Sequence, residues 1–352
     1  MLRFLGRALL SLSTLVFLAP FLPGVPAPQA SGTNPAVKIG YLMDSLKVER
    51  WQTDLDAFQK RAGELGASVL VETADGDDDL QWWQANKLLD AGVNVLVLVA
   101  HDSGKARRIV AAANARHVPI LCYDRLVPDS DVDFFVGANS EAIGAMQAFW
   151  LAHLAPEGNY VLIGGSPADT NAKALRAGQL RVLQPLIAAK KIKIVGDSWA
   201  KDWSPAEAYA AMSQAIASSG GDITAVVASN DGTAGGAIQA LQEHHLAGKV
   251  LVSGQDADLA AIIRILDGTQ SMTVYKPIAE QARLAAEAAV HLASAVPVQN
   301  SVFVPNGAKT THAVFLTPVV VAKTNVLQTV IKDGFQNLAT IQKSLPPDKW
   351  PH

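Results

Sequence analysis

Short runs of Val, Ile and Leu alternate with helical stretches along this chain, and that alternation restricts the fold more than any other feature. VKIGYLM, SVLVETAD, NVLVLVA and VPILCYD are the first four runs, separated by helical spacing around residues 49–65, 80–89 and 103–116. Mostly apolar runs of this length suit strands covered on both faces, and strands alternating with helices mean βαβ units. Right-handed crossovers then wind such units into a doubly wound parallel sheet. DFFVGA at residues 133–138 reads as a link, after which the pattern restarts. Helices around 141–154, 171–189, 205–218 and 234–244 alternate with NYVLIGG, IKIVGDSW, TAVVASND, VLVSGQD and SMTVYK. The expected fold class is therefore α/β with two similar halves, which 352 residues can accommodate. A hydrophobic content of 49% is enough for two cores and argues against general disorder. HAVFLTPVVVAKTNV near the end reads as one further strand-like run, and SLPPDKWPH as a frayed tail.

The first thirty residues bear on the compartment. MLRFLGR is a short basic opening, ALLSLSTLVFLAPFLPGV an apolar run broken by proline, and APQA at residues 27–30 a small-residue cleavage signal. The uninterrupted apolar part is short for a membrane span, so a cleaved signal peptide over residues 1–30 is expected in preference to an anchor. No Cys lies there to carry a lipid, so the expected product is periplasmic and not a lipoprotein. Net charge is −3 and falls to −5 once Arg3 and Arg7 leave. No nucleic-acid partner is expected from that balance, because phosphate backbones require a basic stripe. Cys122 is the only cysteine and sits inside an apolar run, where a buried thiol is expected and an internal disulfide is impossible. No His or Cys spacing supports a metal site, and no cofactor is expected.

In doubly wound sheets, ligands bind beyond the carboxyl ends of the strands. Arg50 and Trp51 come soon after the first run, and Asp124 and Arg125 directly after the fourth. Asp169 and Asn171 follow NYVLIGG, Asp202 and Trp203 follow IKIVGDSW, Asn230 and Asp231 follow TAVVAS, Asp256 follows VLVSGQ and Lys276 follows SMTVY. This selection suits a polyhydroxylated ligand. Carboxylates and amide oxygens accept from hydroxyls, guanidinium, ammonium and amide nitrogens donate to them, and indole covers C–H faces. Placing Asp beside Arg neutralises the pair so that both can be desolvated.

Each residue also has a plainer reading. Asp124–Arg125 could be a structural ion pair, Trp203 a staple before the helix that Ser204 caps, and Asp256 or Asp258 a helix cap. Asp75–Asp79 reads as a solvated turn. It is the coincidence of these residue types at one sheet edge that favours a ligand. Enzyme readings find less support. GGSPADTNA and SNDGTAGGAIQAL complete neither phosphate-loop motif, GTAGG equally suits close helix–sheet packing, and no nucleophile elbow or zinc-protease helix occurs. Asp124, Asp169 and Asp256 could converge as for glycoside hydrolysis, but neighbouring Arg and Lys would hold all three ionised and leave no general acid.

The motifs KIGYLMDSLKVERWQ, YDRLVPDSDVDFF, GNYVLIGGSPADTNAKALRAGQ, VASNDGTAGGAIQAL, GKVLVSGQDADLA, GTQSMTVYKPIAEQA and TVIKDGF occur in order across residues 38–335. Together they resemble the periplasmic binding protein type I family, the ribose-binding-like sugar receptors of ABC importers, and within it most closely the bacterial D-xylose receptors. The resemblance implies two doubly wound parallel-sheet lobes joined by three crossovers, with a ligand cleft between them. It implies an N-terminal lobe of residues 37–138 plus about 278–305, a C-terminal lobe of 139–277 plus about 306–340, and a flexible tail at 341–352. Arg50, Asp124, Arg125, Asp169, Asn171, Trp203, Asn230, Asp256 and Lys276 match the family's sugar-binding positions, and Trp51 is added as a stacking partner. The implied function is capture of D-xylose or a close pentose by a non-enzymatic monomer that delivers it to a membrane permease. A chemoreceptor or sensor kinase is the alternative partner. The segment GANSEAIG and the stretch after Ser301 depart from the family pattern.

Overall fold

The computed structural model describes residues 37–351 apart from 49 and 308, so the expected signal peptide lies outside the described residues. Within them the chain forms an α/β protein with two main sheets and a two-stranded pair bridged to the second. The first carries β1 (Lys38–Met43), β2 (Ser68–Thr73), β3 (Val95–Leu98), β4 (Ile120–Tyr123) and β5 (Phe134–Ala138) as a parallel array in the order 5-4-3-1-2. Helices α1 (Arg50–Glu64), α2 (Asp78–Asp90) and α3 (Arg107–Ala115) connect these strands. Every residue of β3, β4 and β5 is buried, as the uniformly apolar runs require.

The chain crosses over after β5 into α4 (Ser140–Leu154) and a second parallel sheet. This holds β6 (Gly158–Gly164), β7 (Ile192–Trp199), β8 (Ala225–Ala228) and β9 (Leu251–Val252) in the order 7-6-8-9. Its helices are α5 (Thr170–Ala188), α6 (Pro205–Ser219), α7 (Asp231–Glu243) and α8 (Leu259–Asp267). A bridge between Gln255 and Val274 attaches β10 (Thr273–Tyr275) beside β9. From β10 the chain returns to the first lobe as α9 (Ile278–Ala293), whose alanine-rich face packs with α1 over the first sheet. Gly236 serves a different packing from the helix–sheet contact considered above: a Cβ there would lie 2.0 Å from the Pro205 carbonyl oxygen, so it lets α7 press against the start of α6.

Four departures have physical causes. HAVFLTPVVV is two strands and not one. β12 (Lys309–Leu316) pairs parallel with β5 in the first sheet, whereas β13 (Val319–Val321) pairs antiparallel with β10 in the second. Pro318 lies between them and cannot donate to a ladder, so the final crossing falls after residue 316 and not near 306. The strand β11 (Val302–Asn306), unforeseen, turns at Gly307 (φ 66°) to pair with β12 at the sheet edge.

The tail expected to fray is instead tied down. Ile341 on α10 (Leu338–Ser344) is fully buried, and the Trp350 indole donates to the carbonyls of Gln342 and Leu345. Finally, the acidic stretch expected to be a solvated turn is one only at Asp75 and Gly76, and its second half starts a helix. Asp77 accepts from the amides of Asp79 and Leu80, and Asp78 and Asp79 fill the first turn, where negative charge complements the helix dipole.

Candidate ligand-binding site

The carboxyl ends of both sheets face one cavity. Ten of the twelve strand-end residues line it, with Val48 and Gln255 completing the wall, whereas Asp202 and Asp231 do not. Arg50 opens α1 at a helix N-terminus, an unfavourable place for a cation. Asp54, one turn on, offsets this by taking two of its N–H groups, at 2.7 and 3.1 Å. The other end of the Arg50 guanidinium reaches Asp124 at 3.0 Å and Asp256 at 3.4 Å. Lys276 Nζ sits 3.2 Å from both of those carboxylates, so two anions from different lobes share two cations. Asn171 donates to the Asp124 carbonyl oxygen at 2.8 Å and to its carboxylate at 3.2 Å, and Gln281 donates to that carboxylate at 3.3 Å.

A second cluster stands beside the first. Arg125 pairs with Asp44 at 2.7 Å, donates to the Ala100 carbonyl at 2.8 Å, and lies 2.8 Å from Asp169 across the cleft. The Trp203 indole N–H donates to the same Asp169 oxygen at 3.2 Å. Trp51 lies under both guanidiniums, 4.4 Å from Arg50 and 5.4 Å from Arg125, so its face holds the two cations in place. These groups are nearly all buried, which makes their mutual pairing compulsory. Burial alone would raise Asp124, but Arg50, Lys276 and Arg125 hold its carboxyl well below the usual range. In Asp54 and Asp169 burial outweighs the paired guanidinium, and their carboxyls titrate above the ordinary value.

The backbone is bent to present these groups. Asp124, Asp202, Trp203 and Asp256 have φ of 62°, 53°, 58° and 99°, a region that non-glycine side chains rarely adopt. Such strain concentrates where side-chain direction matters more than local stability. Gly165 contributes by absence: a Cβ there would fall 2.3 Å from the Trp203 ring. Gly165→Ala is therefore expected to displace the indole and weaken ligand affinity by about tenfold or more, as a misplacement near 1 Å does. Titration of the variant beside the wild type checks this; unchanged affinity would mean that Trp203 is not a ligand contact.

After these bonds are made, capacity remains. Asp256 Oδ2, Arg125 Nη2, Asn230 Nδ2 and Asn171 Oδ1 make no hydrogen bond to the described residues, so the cavity offers both acceptors and donors to a hydroxylated guest. Strand-end reasoning missed Asp44, Asp54, Gln255 and Gln281. Asp44 also follows a strand, and Asp54 lies four residues after Arg50 on one helix, so both had a signal in the sequence. Gln281 comes from the crossover helix α9, which no strand-end rule reaches. Cys122 is buried as expected, with its thiol pushed up to about 12 by burial.

Residues 39–295 match the model of the periplasmic binding protein domain. That span is most of the chain. The chain belongs to this family. A D-xylose-binding periplasmic protein of Haemophilus influenzae is 45% identical over 312 residues, covering 89% of this chain and 94% of that protein. One of the same description from Escherichia coli is 47% identical over 299 residues, covering 85% and 91%. Among solved structures, a carbohydrate transporter solute binding protein from Chloroflexus aurantiacus in complex with D-glucose superposes with a TM-score of 0.81. It is 26% identical and covers 87% of this chain and 98% of that one. The relatives are periplasmic sugar receptors, and this chain is a sugar-binding protein and not an enzyme. Among the described residues no helix is long and apolar enough to cross a membrane.

Proposed function

We propose that this chain captures D-xylose, or a close pentose, in the cavity between its lobes, and delivers it as a monomer to the permease of an ABC importer. The observation that carries this reading is the convergence of ten strand-end residues from both lobes on one buried cavity that keeps donors and acceptors unspent. The two relatives named for D-xylose add the choice of sugar. Sugar bridging Arg50, Asp124 and Arg125 on one side to Asp169, Asn230 and Asp256 on the other favours the closed state through contacts that exist only when the lobes meet. Delivery requires the chain to be exported, with the mature protein starting near Ser31 after cleavage at Ala30.

Charge sets a further condition on the guest. Asp44, Asp54, Asp124, Asp169 and Asp256 outnumber Arg50, Arg125 and Lys276 by two in the bonded network. An anionic sugar would add a third uncompensated charge to a desolvated site. A thermal-shift panel of the mature protein should therefore show a clear upward shift with D-xylose and none with D-xylonate. A shift with xylonate would remove the charge argument, and no shift with any neutral pentose or hexose would remove the functional reading.

A further inference from the structure

We infer that His101 is a positioning residue, a proton-dependent latch that closes the cleft over the sugar by holding the turn carrying Trp203. The inference rests on the sugar-capture reading above. His101 leaves β3 in the first lobe, and its backbone is fixed by Gln81 of α2, whose side-chain oxygen accepts from the His101 amide at 3.2 Å. Its Nδ1 meets Asp78 Oδ1 at 2.9 Å within the same lobe. Its Nε2 meets Asp202 Oδ1 at 3.2 Å in the other lobe. Asp202 immediately precedes Trp203, and both hold positive φ. Among the described residues this is the ionic contact between the lobes that lies outside the sugar cavity.

The chemistry of the contact fixes its protonation. A carboxylate only accepts, and a neutral imidazole has one N–H. Bridging two carboxylates therefore needs both ring nitrogens protonated, so the closed latch is an imidazolium. Opening the cleft removes Asp202 and with it one of the reasons to hold the proton. The surroundings agree. Asp44, Lys47, Arg125 and Asp202 share a small cavity with the ring, and Lys105 pairs with Asp78 from its far side at 2.7 Å. Burial pushes the imidazole down, but Asp44, Asp78 and Asp202 outweigh it and hold the titration above the usual histidine value. Lys47 opposes this, while Arg125 and Lys105 are already engaged by Asp44 and Asp78.

The sign follows. A group whose affinity for a proton is higher in the closed state stabilises closure fully below its open-state pKa. That contribution is lost as pH rises through the closed-state value. D-xylose affinity of the wild type is expected to weaken about five- to tenfold between about pH 5.5 and about pH 8.5, mainly in the dissociation rate. Binding at neutral pH should take up a fraction of a proton, read by titration calorimetry in buffers of different ionisation enthalpy. His101→Gln and Asp202→Asn should both bind sugar with a flat pH profile and no proton uptake. A residue with only a structural role would lower affinity at every pH alike. A pH-independent wild type, or a His101→Gln protein that keeps the slope, overturns the inference. If the wild type binds no sugar at all, the functional reading fails instead. Fluorescence transfer between labels on the two lobes, without sugar, then decides the latch. Compaction on acidification that Asp202→Asn abolishes supports it, and a pH-independent distance overturns it.

Discussion

Asp124→Ala is expected to abolish measurable sugar binding and to destabilise the protein by about 3–5 kcal/mol, the usual consequence of removing one partner from a buried ion pair. The reason is the number of groups that depend on this carboxylate. Arg50 at 3.0 Å, Lys276 at 3.2 Å, Gln281 at 3.3 Å and Asn171 at 3.2 Å all point at it, from three helices and the loop after β10. Alanine leaves two cations facing each other, with only Asp256 to share. In thermal melts the loss should amount to roughly 5–10 °C for a chain of this size. The wild-type carboxyl is held below its usual range by Arg50, Lys276 and Arg125 against the opposing effect of burial. Its stabilising contribution is therefore present at every pH above the ordinary carboxylate value and is lost only as pH falls through the depressed one. The gap in melting temperature between wild type and variant should stay wide at neutral and mildly acidic pH and narrow only in strong acid. A gap that closed near neutrality would show that Asp124 is not the anchor of the cluster.

Arg50→Met is expected to cost a similar amount at neutral pH, again about 3–5 kcal/mol, but with the opposite response to acid. Methionine fills much of the space while removing the cation that serves Asp54, Asp124 and Asp256 together. Asp54 is fully buried, and its carboxyl titrates above the ordinary value even with the guanidinium present, because burial dominates. Without Arg50 it is raised further. An acid with a raised pKa in the folded state destabilises the fold as pH climbs past the unfolded value, and the penalty is complete above the folded one. Lowering the pH should therefore recover part of the lost stability of Arg50→Met as its orphaned carboxylates take up protons. Melts from neutral to mildly acidic pH would test this, and a deficit independent of pH would contradict it. Sugar affinity should not recover, since a protonated Asp54 does not replace a missing donor.

The parallel strands and the helices between them were legible in the sequence because burial on both faces leaves an unambiguous apolar run. Helix starts were less legible where their determinants are contacts. α3 was expected from Ser103 but begins at Arg107, since the Asp102 side chain caps a tight turn through the amides of Gly104 and Lys105. The division of the final strands between two sheets depends on partners far away in the chain: β12 needs the free edge of β5, and β13 that of β10. Only Pro318 marked the break. The lining of the cavity was more legible than the division into lobes, because the carboxyl ends of parallel strands gather at one edge whatever their order. Asp124 could have been a structural ion pair alone and Asp256 a cap. Asp169 does cap α5, through the Asn171 amide at 2.8 Å, and Asn230 caps α7. Both residues therefore cap helices and line the cavity at once. His101 left no such mark. Its role depends on Asp202, a hundred residues on, approaching across the cleft.

The central claim is that the buried cluster between the two lobes is a sugar-binding site. Isothermal titration of D-xylose into the mature wild-type protein tests it most directly. One molar equivalent should bind tightly, in the micromolar range or better, and Asp256→Ala should lose that binding at the same protein concentration. A wild-type titration that releases no heat, or an Asp256→Ala variant with undiminished affinity, would contradict the account.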